Sequence, residues 1–257
     1  MEEKTMKITF LGTSHGIPTD IRFCTSTMIE VNGKLYFIDA GAPVIDLVLR
    51  NGKHPNDIKA VFCTHHHGDH TDGILNLVDL CTWAFKEAKF DMYMTSMAVA
   101  EAFVKAVEAV EAPNGRFPHD RLRFNEVSEG VVYEDENVKV TYFPTRHCEP
   151  MKSYSILIEA EGKKLLFTGD MSQWLAKEDY PKYALENETD MVVCEMAHFG
   201  REHVEPYMEK TKTKKYIFTH VNFAKGTHKF ADIEDMNASG KFHYPIIAAK
   251  DGDVIEI

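Results

Sequence analysis

The chain has 257 residues, of which 44% are hydrophobic and 27% are charged, and its formal net charge at pH 7 is −11. This length and composition predict a single domain over residues 1–257 and exclude disordered and fibrous classes. The net negative charge repels polyanions, so it disfavours nucleic acid as a partner without excluding a local basic patch.

Short β-rich segments bounded by turn residues occur along the whole chain. In chain order they are KITFLGT, TSTMIEVNG, KLYFIDAG, AVFCT, DMYMTS, VKVTYFPT, YSILIEAEG, KLLFTGD, MVVCEM and KYIFTH. Their length and their content of branched and aromatic residues are typical of strands.

Helical periodicity separates some of these strands. Residues 72–88 and residues 96–110 each place their apolar side chains on one stripe at three- and four-residue spacing, which predicts two amphipathic helices. Residues 203–211 predict a third helix. We expect residues 111–120 to form a loop and residues 224–245 to be irregular, because both are rich in turn residues.

The cysteines, the apolar runs and the N-terminus indicate the cellular compartment in which the protein is expected. Five scattered cysteines, odd in number and never in CxxC spacing, argue against a disulfide framework and against a structural zinc finger. No apolar run is long enough to span a bilayer, and the N-terminus lacks a signal-peptide pattern. The sequence therefore predicts a cytoplasmic protein without a membrane partner.

Two pairs of segments indicate an internal duplication. VNGKLYFIDAG, ending at Gly41, resembles AEGKKLLFTGD, ending at Asp170, and VFCTH, ending at His65, resembles YIFTH, ending at His220. Both pairs occur in the same order, which predicts two similar β-rich halves.

The segment AVFCTHHHGDHTDG has a composition typical of a metal site. In the loop after the strand, His65 and His67 can point the same way, Asp69 and His70 fall on the next turn, and His66 faces elsewhere. Imidazole and carboxylate groups suit zinc and similar divalent ions. Four ligands leave two ions incompletely coordinated, so further ligands must come from distant parts of the chain.

Three further candidates follow or end predicted strands. His147 follows VTYFPTR, Asp170 ends KLLFTGD, and His220 ends YIFTH. An aspartate in such a position can bridge two ions, and the two histidines can each complete one coordination sphere.

With these residues the chain resembles the metallo-β-lactamase superfamily. The resemblance implies an α/β fold, a four-layer αββα sandwich of two similar halves. It also implies that one ion is held by His65, His67 and His147, the other by Asp69, His70 and His220, and that Asp170 bridges them. By the same resemblance, Asp39 in FIDAG orients ligand histidines.

Within the superfamily, FLGTSHGIPTDIR and RHCEPMKSYSILIE are similar to segments of ribonuclease Z. That branch carries a long arm that grips tRNA, whereas only 22 residues separate His147 from Asp170 here. Phe167 and Cys194 occupy positions where the branch has a glutamate and a histidine. These departures disfavour tRNA processing.

The CEMAH segment supplies candidates for the rim of the active site. Its resemblance to other hydrolases of the superfamily suggests Glu195 and His198 for that rim, with His198 as the proton donor to the leaving group. Asp69 is expected to steer the attacking hydroxide as well as to bind metal.

The expected function is that of a metal-dependent hydrolase in which a hydroxide between two divalent ions attacks phosphorus or a carbonyl carbon. We expect two zinc ions, with manganese or iron as alternatives, and a small or cyclic phosphodiester as substrate. The alternatives are a tRNA 3′-processing endonuclease, a lactonase or thioesterase, and a metal-holding binding module without catalysis. A homodimer is plausible.

Overall fold

The computed structural model describes residues 6–110, 116–222 and 228–257. Two seven-stranded sheets account for all the strands of these residues. The strands are β1 (Lys7–Gly12), β2 (Ser26–Val31), β3 (Lys34–Ala40), β4 (Ile58–Phe62), β5 (Phe90–Met94), β6 (Leu122–Glu126), β7 (Gly130–Glu134), β8 (Val138–Thr145), β9 (Ser153–Ala160), β10 (Lys163–Phe167), β11 (Met191–Met196), β12 (Tyr216–Val221), β13 (Ile246–Ala248) and β14 (Val254–Glu256).

Six α-helices cover the outer faces of the sheets. They are α1 (Val44–Arg50), α2 (Gly68–Trp83), α3 (Met97–Val110), α4 (Lys182–Glu186), α5 (Arg201–Met208) and α6 (Lys229–Ala238). None of the helices in the described ranges is long and apolar enough to cross a membrane.

The two sheets have equivalent topologies. The first has the order β14-β1-β2-β3-β4-β5-β6, and the second has the order β13-β12-β11-β10-β9-β8-β7. In the first, β1, β2 and β3 are antiparallel and β4 to β6 continue in parallel. In the second, β8, β9 and β10 are antiparallel and β11 to β13 continue in parallel.

Three apolar clusters fix the order of the layers. One lies between the sheets and includes Phe10, Ile29, Tyr142 and Ile217. A second packs α1, α2 and α3 on the outer face of the first sheet, and a third packs α4, α5 and α6 on the outer face of the second. Helices on the outside of two facing sheets make a four-layer αββα sandwich, so the predicted fold class is confirmed.

The hairpins that the sequence suggested as a duplication occupy equivalent places. The β2–β3 hairpin of the first sheet corresponds to the β9–β10 hairpin of the second. The strands of the second similar pair do not occupy equivalent places. VFCTH contains β4, which corresponds to β11, whereas YIFTH contains β12, which corresponds to β5. The similarity of VFCTH and YIFTH therefore comes from two buried parallel strands that each end at a candidate ligand.

All ten predicted strands are present, but several elements were not predicted from sequence. Four strands were missed (β6, β7, β13 and β14), as were helices α1, α4 and α6. Helix α6 lies inside residues 224–245, which we expected to be irregular; it forms because Ile233 and Met236 pack against the second sheet. Residues 111–115 of the expected loop lie outside the described residues.

Candidate metal centre

The junction between β4 and α2 carries the densest set of candidate ligands. β4 ends at Phe62, and His65 follows it with none of its surface exposed. His67 caps the N-terminus of α2, so Asp69 lies in the first helical turn. His66 turns away from this group, and its Nδ1 lies 2.9 Å from the Thr95 hydroxyl. This contact agrees with the prediction that His66 faces away from His65 and His67.

The second sheet supplies the remaining candidates from three separate strands. His147 comes shortly after β8, Asp170 comes shortly after β10, and His220 lies near the end of β12. The chain between His147 and Asp170 consists mainly of the β9–β10 hairpin, so the described chain has no arm at this place. The Thr145 hydroxyl donates a hydrogen bond of 2.9 Å to the Asp170 carbonyl and ties two of these strand ends together.

The candidates from both sheets meet around the Asp170 carboxylate. Its Oδ2 lies 3.5 Å from His70 Nε2, 3.6 Å from His147 Nε2 and 3.8 Å from His65 Nε2. Its Oδ1 lies 3.5 Å from His220 Nδ1. The central carboxylate thus faces histidines of both predicted ligand sets.

Two irregular strand positions bring side chains to this centre. Asp39 in β3 and His220 in β12 are each an extra residue in the pairing of their strand, and their φ angles are +58° and +49°. A β-bulge re-aims side chains, and a positive φ outside glycine is strained and persists where the surroundings impose it. Both bulges lie near the carboxyl ends of inner strands, where these strands reach the candidate centre.

Asp39 connects the first sheet to the ligand loop. Its Oδ1 accepts a 2.8 Å hydrogen bond from the Thr64 backbone N–H, and its Oδ2 lies 2.8 Å from His70 Nδ1. With Nδ1 held by Asp39, His70 Nε2 is directed at the centre. The position of Asp39 fits the orienting role that the family resemblance implied.

His65 and Asp170 are in the protonation states that a cation ligand requires, whereas His220 must lose a proton to bind. Burial and the neighbouring His70 lower the pKa of His65 well below its usual range, so its imidazole is neutral near pH 7. Burial would raise the pKa of Asp170, but His220 and His70 outweigh burial and hold it well below its usual range. Burial opposes protonation of His220, yet Asp170 raises its pKa to about 9, so a bound cation must displace that proton.

Two observations bear on whether cations fit at this centre: the distances between potential ligand atoms, and the buried polar atoms that lack hydrogen-bond partners. The potential ligand atoms of His65, His67 and His147 lie within 4.8 Å of one another, and so do those of Asp69, His70 and His220. His70 Nε2 and His147 Nε2 are buried and have no hydrogen-bond partner among the described residues. Buried polar atoms are normally satisfied, so nitrogens directed at a shared carboxylate fit a cation site.

Glu195 and His198 form a hydrogen-bonded pair beside the centre. Glu195 is only 2% exposed, so it lies behind His198 and not at the rim where we expected it. It accepts hydrogen bonds from the backbone N–H groups of Met171, Ala197 and His198. His198 Nδ1 lies 2.8 Å from Glu195, while its Nε2 faces Asp170 at 3.9 Å and its side chain is 28% exposed.

Sequence reasoning missed Asp179, which supports two of the ligand loops. Its Oδ2 accepts hydrogen bonds from the backbone N–H of Arg146, at 2.9 Å, and of Ser172, at 2.7 Å. Arg146 precedes the candidate ligand His147, and Ser172 follows Asp170 by two residues. A lone aspartate after an irregular segment carries no sequence signal for this contact, which only the folded loops create.

This fold, with a His/Asp cluster at one end of the sandwich, defines a metallo-β-lactamase fold protein. The metallo-beta-lactamase fold protein YhfI from Bacillus subtilis has a TM-score of 0.75 to this chain at 15% identity, covering 99% of this chain and 100% of YhfI. A diphosphatase of the PhnP family has a TM-score of 0.68 at 20% identity, covering 98% of this chain and 97% of that protein. Residues 6–209 match the family described as Anti-Pycsar protein Apyc1, and the chain belongs to this family.

The resemblance to ribonuclease Z is also confirmed. Ribonuclease Z from Acaryochloris marina is 29% identical to this chain over 153 residues. The match covers 59% of this chain and 47% of the ribonuclease, so the chain spans about half the length of the curated relative it matches.

Proposed function

We propose that this protein is a metal-dependent hydrolase that holds two divalent cations and cleaves a small or cyclic phosphodiester. The convergence of histidines from three separate strand ends on the Asp170 carboxylate, which follows a fourth strand, is the observation that carries the proposal. Buried imidazoles without partners around one carboxylate are costly unless a ligand satisfies them.

Four groups of described residues bring potential ligand atoms within 4.8 Å of one another, and the proposed ligand sets are the two groups without Asp170. The other two groups both contain Asp170, and one of them also contains Glu195 and His198. One set is His65, His67 and His147, the other is Asp69, His70 and His220, and Asp170 lies between them. Zinc suits these nitrogen and oxygen donors, and manganese or iron are the alternatives. When bound, two cations supply an activated water and offset the charge that develops on a phosphoryl oxygen.

His198 is the proposed proton donor to the leaving group. Burial opposes its protonation, but the Glu195 carboxylate outweighs burial and raises the pKa of the imidazole. Because Glu195 holds Nδ1, Nε2 is left to face the centre from its solvent side. A histidine in this position can donate a proton to an oxygen that leaves toward solvent. Asp69 lies less deeply buried on the same side, where its carboxylate can orient the attacking water.

Three observations support a small phosphodiester as the substrate. The relatives that the chain resembles include a ribonuclease and a diphosphatase, both named for the cleavage of phosphate-linked substrates. A short hairpin occupies the place where an arm could hold a large nucleic acid. The formal net charge of −11 also disfavours a polyanionic partner.

A tRNA 3′-processing endonuclease is the second candidate. The identity of 29% to ribonuclease Z over 153 residues favours it. Phe167 and Cys194 weigh against it, because both are buried in apolar clusters and supply no acid or base. A homodimer and a cytoplasmic location stay predictions.

The three adjacent histidines allow a matched test of the metal centre. We expect His67→Ala to lose bound metal and hydrolysis together, whereas His66→Ala retains both, because His66 contacts Thr95 outside the centre. Elemental analysis of the purified proteins measures the metal. Equal metal content and equal turnover in the two variants would contradict the proposed centre.

A substrate panel separates the candidate activities. The panel contains bis-p-nitrophenyl phosphate, 2′,3′- and 3′,5′-cyclic nucleotides, a precursor tRNA, a lactone and a thioester. We expect turnover of the small phosphodiesters to exceed that of the others. Preferred cleavage of precursor tRNA would establish the second candidate, preferred cleavage of the lactone or thioester would establish carbonyl chemistry, and no turnover by metal-loaded protein would indicate a binding module.

A further inference from the structure

A small cavity with a mixed polar and apolar lining lies between the two sheets beside the candidate metal centre. Its volume is about 20 Å³. Its polar lining residues include Thr64, Thr168, Asp170, Glu195, Thr219 and His220, and its apolar ones include Ile38, Phe167 and Val193. A space of this size is large enough for one water molecule, which requires about 10–15 Å³ and two to four polar partners.

Two adjacent residues of the cavity wall present unsatisfied polar atoms. Thr219 is 8% exposed, and its Oγ1 has no hydrogen-bond partner among the described residues. His220 Nδ1 is also buried without such a partner. The hydroxyls of Thr64 and Thr168 differ, because Thr64 bonds to Asp39 and Thr168 donates to the Gly169 carbonyl.

The bulge in β12 explains why both residues line the same cavity. Thr219 pairs with Glu195 and Val221 pairs with Met196, which leaves His220 as the extra residue with a positive φ. In a regular strand, successive side chains point to opposite faces. At this bulge, Thr219 and His220 instead line one cavity.

We propose that this cavity binds one ordered water molecule, held by Thr219 Oγ1 and His220 Nδ1. Through this water, Thr219 is a positioning residue for His220. A metal-binding histidine commonly bonds through its other nitrogen to a carboxylate, a carbonyl or a water, which fixes the orientation of the ring. His220 Nε2 faces Asp69 at 3.2 Å, whereas its Nδ1 lies 3.5 Å from Asp170 Oδ1 and makes no hydrogen bond among the described residues, so Nδ1 is the nitrogen left for such a partner.

The water site itself depends only on the cavity and the two unsatisfied atoms. The positioning role rests in addition on the proposed function, because it concerns a metal ligand. Two measurements test these two claims separately. Electron density in the cavity tests the water site, and zinc retention tests the positioning role of Thr219.

Three threonine variants test the inference. Thr219→Val removes the hydroxyl with little change in shape, Thr219→Ser keeps the hydroxyl, and Thr213→Val is the matched control. Thr213 is a buried threonine whose hydroxyl donates to the Lys215 carbonyl, at the opposite end of β12. Crystal structures of wild type and Thr219→Val at high resolution show the cavity, and competition with a chelator measures the affinity for zinc.

We expect a density peak in the cavity of the wild type and of Thr219→Ser, and none in Thr219→Val. Thr219→Val should bind one of its two zinc ions roughly 10-fold more weakly, at the low end of effects seen for such supporting residues. Thr219→Ser and Thr213→Val should match the wild type.

A wild-type cavity without density would overturn the water site. Equal zinc affinity for Thr219→Val and wild type would overturn the positioning role. If the wild type binds no zinc, the proposed function fails while the density still decides the water site. If Thr219→Val does not fold, Thr219→Ala replaces it, and its zinc affinity relative to Thr219→Ser decides the positioning role.

Discussion

The two halves of the sandwich contribute to the candidate centre in different ways. The first half supplies four candidate ligands from one junction between β4 and α2, all within six residues of sequence. The second half supplies three, each near the end of a different strand. Ligands that are close together in the sequence can be recognised from the sequence. Ligands that are dispersed along the chain meet only through the register and curvature of a whole sheet.

Different contacts support the ligands of the two halves. In the first half, the Asp39 side chain bonds directly to the loop and to His70. In the second half, Asp179 accepts hydrogen bonds from backbone N–H groups close to His147 and Asp170, and Thr145 donates to the backbone carbonyl of Asp170. We therefore expect substitutions in the first half to disturb ligand rings and substitutions in the second half to disturb loop positions.

The largest effect is expected for Asp170→Ala, which removes the group that both halves share. Loss of this carboxylate should abolish bound metal and hydrolysis together, because nitrogens of His65, His70 and His147 face it. Asp57→Ala is the control, since Asp57 is a half-exposed carboxylate paired with Lys34 on the surface. Metal content and turnover of the two variants are compared, and a fully active Asp170→Ala would refute the shared centre.

His198→Asn should affect chemistry more than metal binding. Loss of a proton donor lowers kcat by a factor on the order of 10² to 10⁴. Zinc content should stay at the wild-type value, because His198 belongs to neither proposed ligand set. Glu195→Gln should also lower kcat, because the loss of the carboxylate releases His198 Nδ1. Loss of zinc from His198→Asn, with activity restored by excess zinc, would instead make His198 a ligand.

Asp39→Asn tests the support of the first half. The amide cannot accept from the Thr64 N–H and hold a protonated His70 nitrogen as the carboxylate does. Affinity for zinc should fall by roughly 10- to 100-fold, the usual range for residues that orient metal ligands. Chelator competition measures the change. An unchanged affinity for zinc would show that the ligand loop of the first half keeps its conformation without the Asp39 carboxylate.

Of the two carboxylates that support the ligands, Asp179 in the second half is expected to affect metal binding less than Asp39 when it is replaced, here by Asp179→Ala. Two buried backbone N–H groups lose their acceptor, at a cost of about 1–3 kcal/mol each in the free energy of unfolding. Zinc affinity should fall by no more than about 10-fold, because no ligand ring loses a partner. Thermal unfolding and chelator competition measure the two effects. A larger loss of zinc than in Asp39→Asn would reverse the proposed contrast between the halves.

Sequence patterns located most of the fold but missed particular elements for physical reasons. Strands β13 and β14 have three residues each, too short to show a period. Strand β7 lies at a sheet edge and is half-exposed, so its pattern is weak. Helix α2 begins at Gly68, four residues before the predicted start, because the ligand loop continues directly into its first turn.

The sequence by itself determined most of the strands and the cluster from His65 to His70, because strand periodicity and ligand spacing are local properties, and the family resemblance that this cluster carries implied the four-layer fold. Only the tertiary structure decided how His147, Asp170 and His220 meet, that Glu195 lies behind His198, and that Asp179 and Thr219 support the centre. These arrangements depend on two bulged residues with positive φ and on hydrogen bonds between segments far apart in the chain. Such contacts form only after the two sheets pack, so no local pattern encodes them.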